Sequence, residues 1–363
     1  MKNLMLVLMM SIVFALAGCA SSTSKSMDAG HGEVIRLLNR HTEVPLLFIA
    51  GSLTDEDLAT LRESAPNVHV VIPSSDEDVI RFAADAHGMD ARFISDDVMA
   101  VADNLMWVQS PSAGVERYLR VDALRERDDI IMTNMQGVHG PTIAEHAFGM
   151  LLTITRDLRY YTHPDQLGTW NRRGSGAQPV ALNGKTLFVV GLGGIGREVA
   201  RIGDGFGMRV VATRRSQSTP PPYVDEQGTA ADFDRFLAEA DVVVLSVPLT
   251  DDTRGMIGAA QLAAMKPGSY LVNVARGPVV DTDALVDALQ RGHLAGACLD
   301  VTDPEPLTPD HVLWTMPNVI ITPHVSSRSP LTSAVWKRTY LDNIRRFGAG
   351  EPLVNVVDKA AGY

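Results

Sequence analysis

The chain has 363 residues, 45% of them hydrophobic and 21% charged, which suits two ordinary globular domains and excludes a disordered chain. A formal net charge of -11 argues against a nucleic-acid binder, which needs a basic face, and requires any anionic substrate to be met by local cations. Two cysteines, Cys19 and Cys298, do not make a disulfide framework, and no His/Cys cluster at zinc-ligand spacing indicates a metal.

In chain order, Lys2 precedes an apolar run from Leu4 to Ala17. The run is shorter than the roughly 20 apolar residues a membrane-spanning helix needs, and suits the h-region of a secretory signal. It ends in Leu16-Ala17-Gly18-Cys19, which resembles the lipobox of bacterial lipoproteins. The resemblance implies a signal peptide over residues 1–18, a lipid on Cys19, a tether over 19–42 and a membrane-anchored protein facing the periplasm. A start at Met27 would instead give a cytoplasmic protein.

From about residue 45, short apolar runs alternate with helical stretches. Strands are expected at Leu46–Ala50, Val68–Ile72, Arg92–Ile94, Met106–Gln109 and Ile130–Met132, with amphipathic segments at Asp55–Glu63 and Asp76–Ala86. A long helix is expected over Thr142–Tyr160, with Pro141 in its first turn, where a missing N–H costs nothing. Its apolar stripe of Ile143, Ala147, Met150, Leu151 and Ile154 suits packing within the chain or a homodimer. After the loop His163–Gln178, a second series of strands is expected at Thr186–Val190, Arg209–Ala212, Asp241–Val247, Tyr270–Val274, Gly296–Asp300 and Val319–Thr322. Their near-continuous Val, Ile and Leu suit strands covered on both faces. A last helix is expected over Pro330–Phe347. Strand–helix alternation of this kind predicts an α/β fold with doubly wound parallel sheets. Cys298 reads as a small buried hydrophobe.

Gly191-Leu192-Gly193-Gly194-Ile195-Gly196 follows one strand and opens a helix. In that setting the spacing is a dinucleotide fingerprint: Gly191 for the tight turn, Gly193 for close approach to pyrophosphate, Gly196 for close helix packing. The helix N-terminus then offers N–H groups to phosphate. The next strand normally ends in an acid for the ribose 2′-hydroxyl, but here Thr213 is followed by Arg214 and Arg215. Two guanidinium groups suit a 2′-phosphate and point to NADP over NAD, unless both are merely solvated.

Three polar residues lie just past strands of the second series: Arg276, Glu305 and His324. Loops that follow parallel strands share one edge, as does the glycine-rich loop, so the three can meet in one cleft. Reduction of a 2-keto acid needs a proton donor and a cation for the carboxylate. Histidine titrates near working pH and suits the acid–base role; Glu305 can orient its imidazole; Arg276 can clamp the carboxylate.

These motifs resemble the D-2-hydroxyacid dehydrogenase family, which includes phosphoglycerate dehydrogenase, formate dehydrogenase and glyoxylate/hydroxypyruvate reductase. The resemblance rests on Gly191–Gly196, Asn273–Gly277, Leu299–Pro306 and Asn318–Val325, with weaker likeness at Asn104–Val115 and Asn134–His146. It implies a flavodoxin-like substrate domain over residues 43–141, completed by 326–363, and a Rossmann domain over 142–325. It implies Arg276, Glu305 and His324 as the catalytic trio, Asp300 on the nicotinamide amide, and Gly194, Ile195, Val274 and Ala275 lining the dinucleotide. Backbone N–H groups at Ile94–Asp97 are the candidates for binding substrate carboxylate from the first domain. His139, His146, His163 and His311 read as helix, hinge or surface residues. The leading expectation is an NAD(P)H-dependent reductase of a small 2-keto acid such as glyoxylate or hydroxypyruvate; the rival is a membrane-tethered binding protein that kept the fold without the chemistry.

Overall fold

A computed structural model describes residues 45–215 and 219–363. The expected signal segment, Cys19 and the whole tether, Met27 included, lie outside the described residues. The first sheet comprises β1 (Leu46–Ile49), β2 (Val68–Val71), β3 (Gly88–Asp90), β4 (Trp107–Gln109) and β5 (Ile131–Thr133). Its order is β2-β1-β3-β4-β5 and every pairing is parallel. The second comprises β6 (Thr186–Val190), β7 (Arg209–Thr213), β8 (Glu226–Gly228), β9 (Val242–Leu245), β10 (Ser269–Asn273), β11 (Leu294–Leu299) and β12 (Val319–Ile321). Its order, β12-β11-β10-β9-β6-β7-β8, is again wholly parallel and reverses between β6 and β9. Ligands of doubly wound sheets bind at such a reversal.

Among the described residues, the helices of eight residues or more are α1 (Asp55–Ser64), α2 (Asp76–Ala83), α3 (Gly140–Thr155), α4 (Gly194–Gly205), α5 (Thr282–Gln290) and α6 (Pro330–Ala349). Thr54 caps α1 in a reciprocal box with Asp57, and Ser75 caps α2. All residues of β9 and β10 are buried, as expected for strands covered on both faces. Two helices decide which part of the chain belongs to which sheet. α3 buries Ile143, Ala147, Phe148 and Leu151 in one core with Leu187, Val189 and Val199, so it packs on the second sheet. α6 sends Tyr340, Ile344 and Phe347 into the core of Phe48, Trp107 and Ile131, so it returns to the first. Trp107 and Phe347 lie 5.0 Å apart by ring centres, and the Tyr340 hydroxyl donates to buried Asp90 at 3.0 Å. Where the chain crosses between sheets, Thr142 Oγ1 lies 3.0 Å from Ser329 Oγ and 2.9 Å from Thr332 Oγ1, tying the two crossover helices at their starts.

Two expectations need correction, and one strand was not expected. The strand expected at Arg92–Ile94 is β3, at Gly88–Asp90, and Ala91–Phe93 is a single 3-10 turn. Asp90 ends the strand because its carboxylate accepts the Arg92 N–H at 2.9 Å and pairs with Arg92 Nε at 3.0 Å. The helix expected to reach Tyr160 stops at Thr155, since Asp157 adopts a left-handed φ of 55° before a short turn at Leu158–Tyr161. Its carboxylate holds Ser175 N at 2.8 Å and Ser175 Oγ at 2.9 Å, fixing the loop that follows. Strand β8 was not foreseen, because Glu-Gln-Gly at a sheet edge carries no apolar pattern. Cys298 is fully buried, as expected of a small hydrophobe, and burial pushes its thiol far above the usual range.

Candidate active site

The glycine-rich loop joins β6 to α4 at the reversal point. Gly191 has φ 97°, open to glycine and costly for other residues, and its N–H and that of Leu192 both donate to the Thr213 carbonyl, at 3.2 and 3.1 Å. Thr213 thus supports the loop through its backbone. A Cβ on Gly196 would lie 2.0 Å from the Gly191 carbonyl oxygen, so only glycine lets α4 begin so close to β6. At Gly193 the opposite holds: a Cβ would meet no protein atom within 4 Å. Gly193 supplies no capping side chain to α4, so no side chain of its N-cap residue satisfies the first-turn N–H groups. These features fit a dinucleotide pyrophosphate. The crossover segment presses on the same loop, since a Cβ on Gly194 would lie 2.9 Å from Gly137 Cα and one on Gly140 would lie 2.8 Å from the Gly194 oxygen. Ile195 is half-buried beside it.

Arg276, Glu305 and His324 follow β10, β11 and β12, three neighbouring strands, and so stand along one sheet edge. His324 Nδ1 lies 2.7 Å from Glu305 Oε1, and both side chains are nearly half exposed. His324 adopts φ 53°, a left-handed conformation that costs a non-glycine residue about 1–2 kcal/mol. Its N–H is held by the carbonyls of Asp300 at 2.8 Å and Thr322 at 2.9 Å. Buried Asp300 fixes the rest of the loop: Oδ1 accepts Thr322 Oγ1 at 2.7 Å and Val325 N at 2.9 Å, and Oδ2 accepts Ser326 N at 3.1 Å. His146 reaches in from α3, with Nε2 3.0 Å from Thr322 Oγ1 and 3.9 Å from Asp300 Oδ1. Strain concentrated on the imidazole-bearing residue, and held by its surroundings, is characteristic of functional sites.

Val274 and Ala275 are buried behind Arg276, and Asn273 braces the turn by accepting the Ala275 N–H and donating to the Arg276 carbonyl, both at 3.0 Å. A Cβ on Gly277 would overlap the Thr302 carbonyl, which shows how tightly this turn sits on the loop after β11. The Arg276 side chain makes a contact the sequence did not announce. Its Nε donates to Glu116 Oε1 of the first domain at 2.7 Å. Burial raises the Glu116 carboxyl, but the Arg276 charge and hydrogen bond outweigh this and hold it below the usual glutamate range.

At the other end of the crevice, Arg214 N donates to the Gly228 carbonyl on β8 at 3.1 Å, and the exposed Arg215 guanidinium lies 4.5 Å from the centre of the Tyr363 ring. Of the first-domain donors expected for substrate carboxylate, Ile94 N is already committed to the Ala91 carbonyl at 3.1 Å, and Ser95 caps the short turn that contains Asp96 and Asp97. His139 stands half-buried at the start of α3, and burial pushes its imidazole below the usual value. His163 and His311 cap short 3-10 turns. Among the described residues no group of His, Cys, Asp and Glu could hold a metal ion.

A model of the D-isomer specific 2-hydroxyacid dehydrogenase NAD-binding domain matches residues 148–326. Glyoxylate reductase from Aeropyrum pernix is 37% identical over 238 residues, covering 63% of this chain and 70% of its own. Among solved structures, the NADPH-dependent glyoxylate/hydroxypyruvate reductase of Sinorhizobium meliloti, in complex with NADP and sulfate, has a TM-score of 0.72 and 28% identity, covering 87% of this chain and 99% of its own. D-lactate dehydrogenase from Aquifex aeolicus, complexed with NAD and lactic acid, has a TM-score of 0.69 and 26% identity, covering 85% of this chain and 98% of its own. With its glycine cradle, its two parallel sheets and these relatives, the chain belongs to the D-isomer-specific 2-hydroxyacid dehydrogenase family, whose reaction moves a hydride between NAD(P)H and a small 2-keto or 2-hydroxy acid.

Proposed function

We propose that this protein reduces small 2-keto acids of the glyoxylate or hydroxypyruvate kind, with NADPH as the preferred donor. The observation that carries the reading is the 2.7 Å contact between His324 Nδ1 and Glu305 Oε1. A carboxylate at Nδ1 fixes the proton there, so the exchangeable proton sits on Nε2, the nitrogen turned away from Glu305. His324 delivers that proton to the substrate oxygen; Glu305 keeps the ring oriented. Arg276 binds the substrate carboxylate through its outer N–H groups, since its Nε is engaged by Glu116. The bound cofactor would supply the hydride; Gly193 and the start of α4 would hold its pyrophosphate, with Gly194, Ile195, Val274 and Ala275 alongside and Asp300 at its amide end. A binding protein has no need for a strained, paired histidine, which favours the enzyme over its non-catalytic rival.

NADPH preference is supported by Arg214 and Arg215 standing where an acid would select NAD, and by the NADP held in the Sinorhizobium structure; the NAD in the Aquifex structure is the competing precedent. A homodimer is supported by exposed Leu158, Tyr161, Leu167 and Trp170, close together in the chain after α3. The lipidated Cys19, membrane anchoring and a periplasmic location are supported by the lipobox-like sequence, and a Cys19→Ser chain that still partitions into detergent would refute them. The function is tested by following NADPH and NADH oxidation with glyoxylate, hydroxypyruvate and pyruvate. His324→Ala should lower kcat by roughly 10²–10⁴ with cofactor binding kept, and unchanged turnover would remove the acid–base role. Replacing Arg214 and Arg215 by Ala should weaken NADPH and leave NADH, and equal weakening of both would overturn the 2′-phosphate assignment.

A further inference from the structure

The arginine that meets the substrate carboxylate already holds a carboxylate from the other domain. Glu116 lies in the segment after β4, and Arg276 after β10; their 2.7 Å ion pair spans the cleft between the two sheets, with both side chains about 30% exposed (30% and 28%). The guanidinium is held from two further directions. Its Nη1 donates to the Ala275 carbonyl at 2.7 Å, and Nη2 packs so closely on Gly114 that a Cβ there would overlap it. The same Cβ would fall 2.6 Å from Glu116 Oε2, so the second carboxylate oxygen also stays at this spot. Another first-domain arginine past a strand end, Arg92, is matched by buried Asp90 at 3.0 Å. The groups gathered at the cleft include Arg276, two carboxylates in Glu116 and Glu305, and His324, with Arg117 next to Glu116 and stacked 4.4 Å from the centre of the Tyr118 ring.

We propose that Glu116 is a specificity residue: it aims the Arg276 guanidinium at a single substrate carboxylate and turns away 2-keto acids that carry a second anionic group. The substrates selected are small 2-keto monocarboxylates with an uncharged or hydroxylated tail; 2-keto dicarboxylates and phosphorylated 2-keto acids are rejected. This rests on the 2-keto-acid reading of the site. A monocarboxylate replaces water around the free edge of Arg276. A second anionic group would have to settle beside Glu116, whose charge Arg276 already shares.

The test compares two acids of equal chain length, 2-oxobutyrate and oxaloacetate, with NADPH and the full chain. The unmodified protein should favour 2-oxobutyrate in kcat/KM by roughly ten- to a hundredfold, the factor set by like charges about 6 Å apart at an effective dielectric near 20. Glu116→Gln keeps an oxygen for Arg276 Nε and removes only the charge. It should shrink that ratio at least fivefold to tenfold, mainly through a lower KM for oxaloacetate. A purely structural role for Glu116 would lower both acids together and leave the ratio intact. An unmodified protein that takes both acids equally overturns the proposal without any variant, as does a ratio that Glu116→Gln leaves unchanged. No turnover of any 2-keto acid by the unmodified protein, against a working NADPH control enzyme, would overturn the function reading and this proposal with it.

Discussion

Removing the Asp300 carboxylate should loosen the loop that holds His324 and lower the melting temperature in two graded steps. Asp300 is buried and accepts Thr322 Oγ1, Val325 N and Ser326 N. In Asp300→Asn the amide keeps one oxygen, but its NH2 must face a donor whichever way it turns. One charge-assisted bond is lost and two donors oppose each other, a cost of about 2–3 kcal/mol. At about 2–4 °C per kcal/mol for a domain of this size, the melting temperature falls by about 4–12 °C. Asp300→Ala strands all three donors, and even with water entering the gap it should cost about 4 kcal/mol or more. The left-handed His324 relies on this loop, so turnover should fall in the same order. Thermal melts of the three proteins, with and without cofactor, read the effect. An Asp300→Asn protein that melts within about a degree of the parent would refute the claim that this carboxylate organises the site.

Two further outcomes follow from the geometry. Gly196→Ala places a Cβ 2.0 Å from the Gly191 oxygen, a backbone atom that cannot move aside, so it should cost about 1–3 kcal/mol and weaken binding of both NADPH and NADH, read by fluorescence titration. His139 has a folded pKa depressed by burial, so its contribution is present above the unfolded value near 6.5 and is lost as pH falls through the lower folded value. Melting temperature should therefore decline on acidification below about pH 6.5, and His139→Gln should flatten part of that decline; parallel curves would refute the assignment.

The strong periodic signals of the chain carried over to the structure. Valine- and leucine-containing apolar runs became the buried parallel strands β6, β9 and β10, and the glycine fingerprint became the turn that a Cβ at Gly196 would block. The order of Arg276, Glu305 and His324 was legible because each follows a strand, and neighbouring parallel strands leave their following loops together. What stayed hidden were short elements and distant pairs. β3 is three residues containing glycine and aspartate, and β8 is Glu-Gln-Gly, neither with an apolar alternation to read. Glu116 and His146 lie far in sequence from Arg276 and Thr322, and only the packing of the crossover brings them close. A glutamate after Gly114-Val115 looks like any polar loop residue until its partner is known.

The return of α6 to the first sheet sets an order of assembly on the ribosome. Residues 45–133 emerge first, yet Phe48 and Trp107 keep an open apolar face until Tyr340, Ile344 and Phe347 arrive. At about 5–20 residues per second that interval is on the order of 10–40 s. Residues 140–321, in between, carry their own contiguous core and can close while the earlier segment waits. The half made first is thus the half finished last, and its uncovered sheet is the surface that chaperones would meet during synthesis.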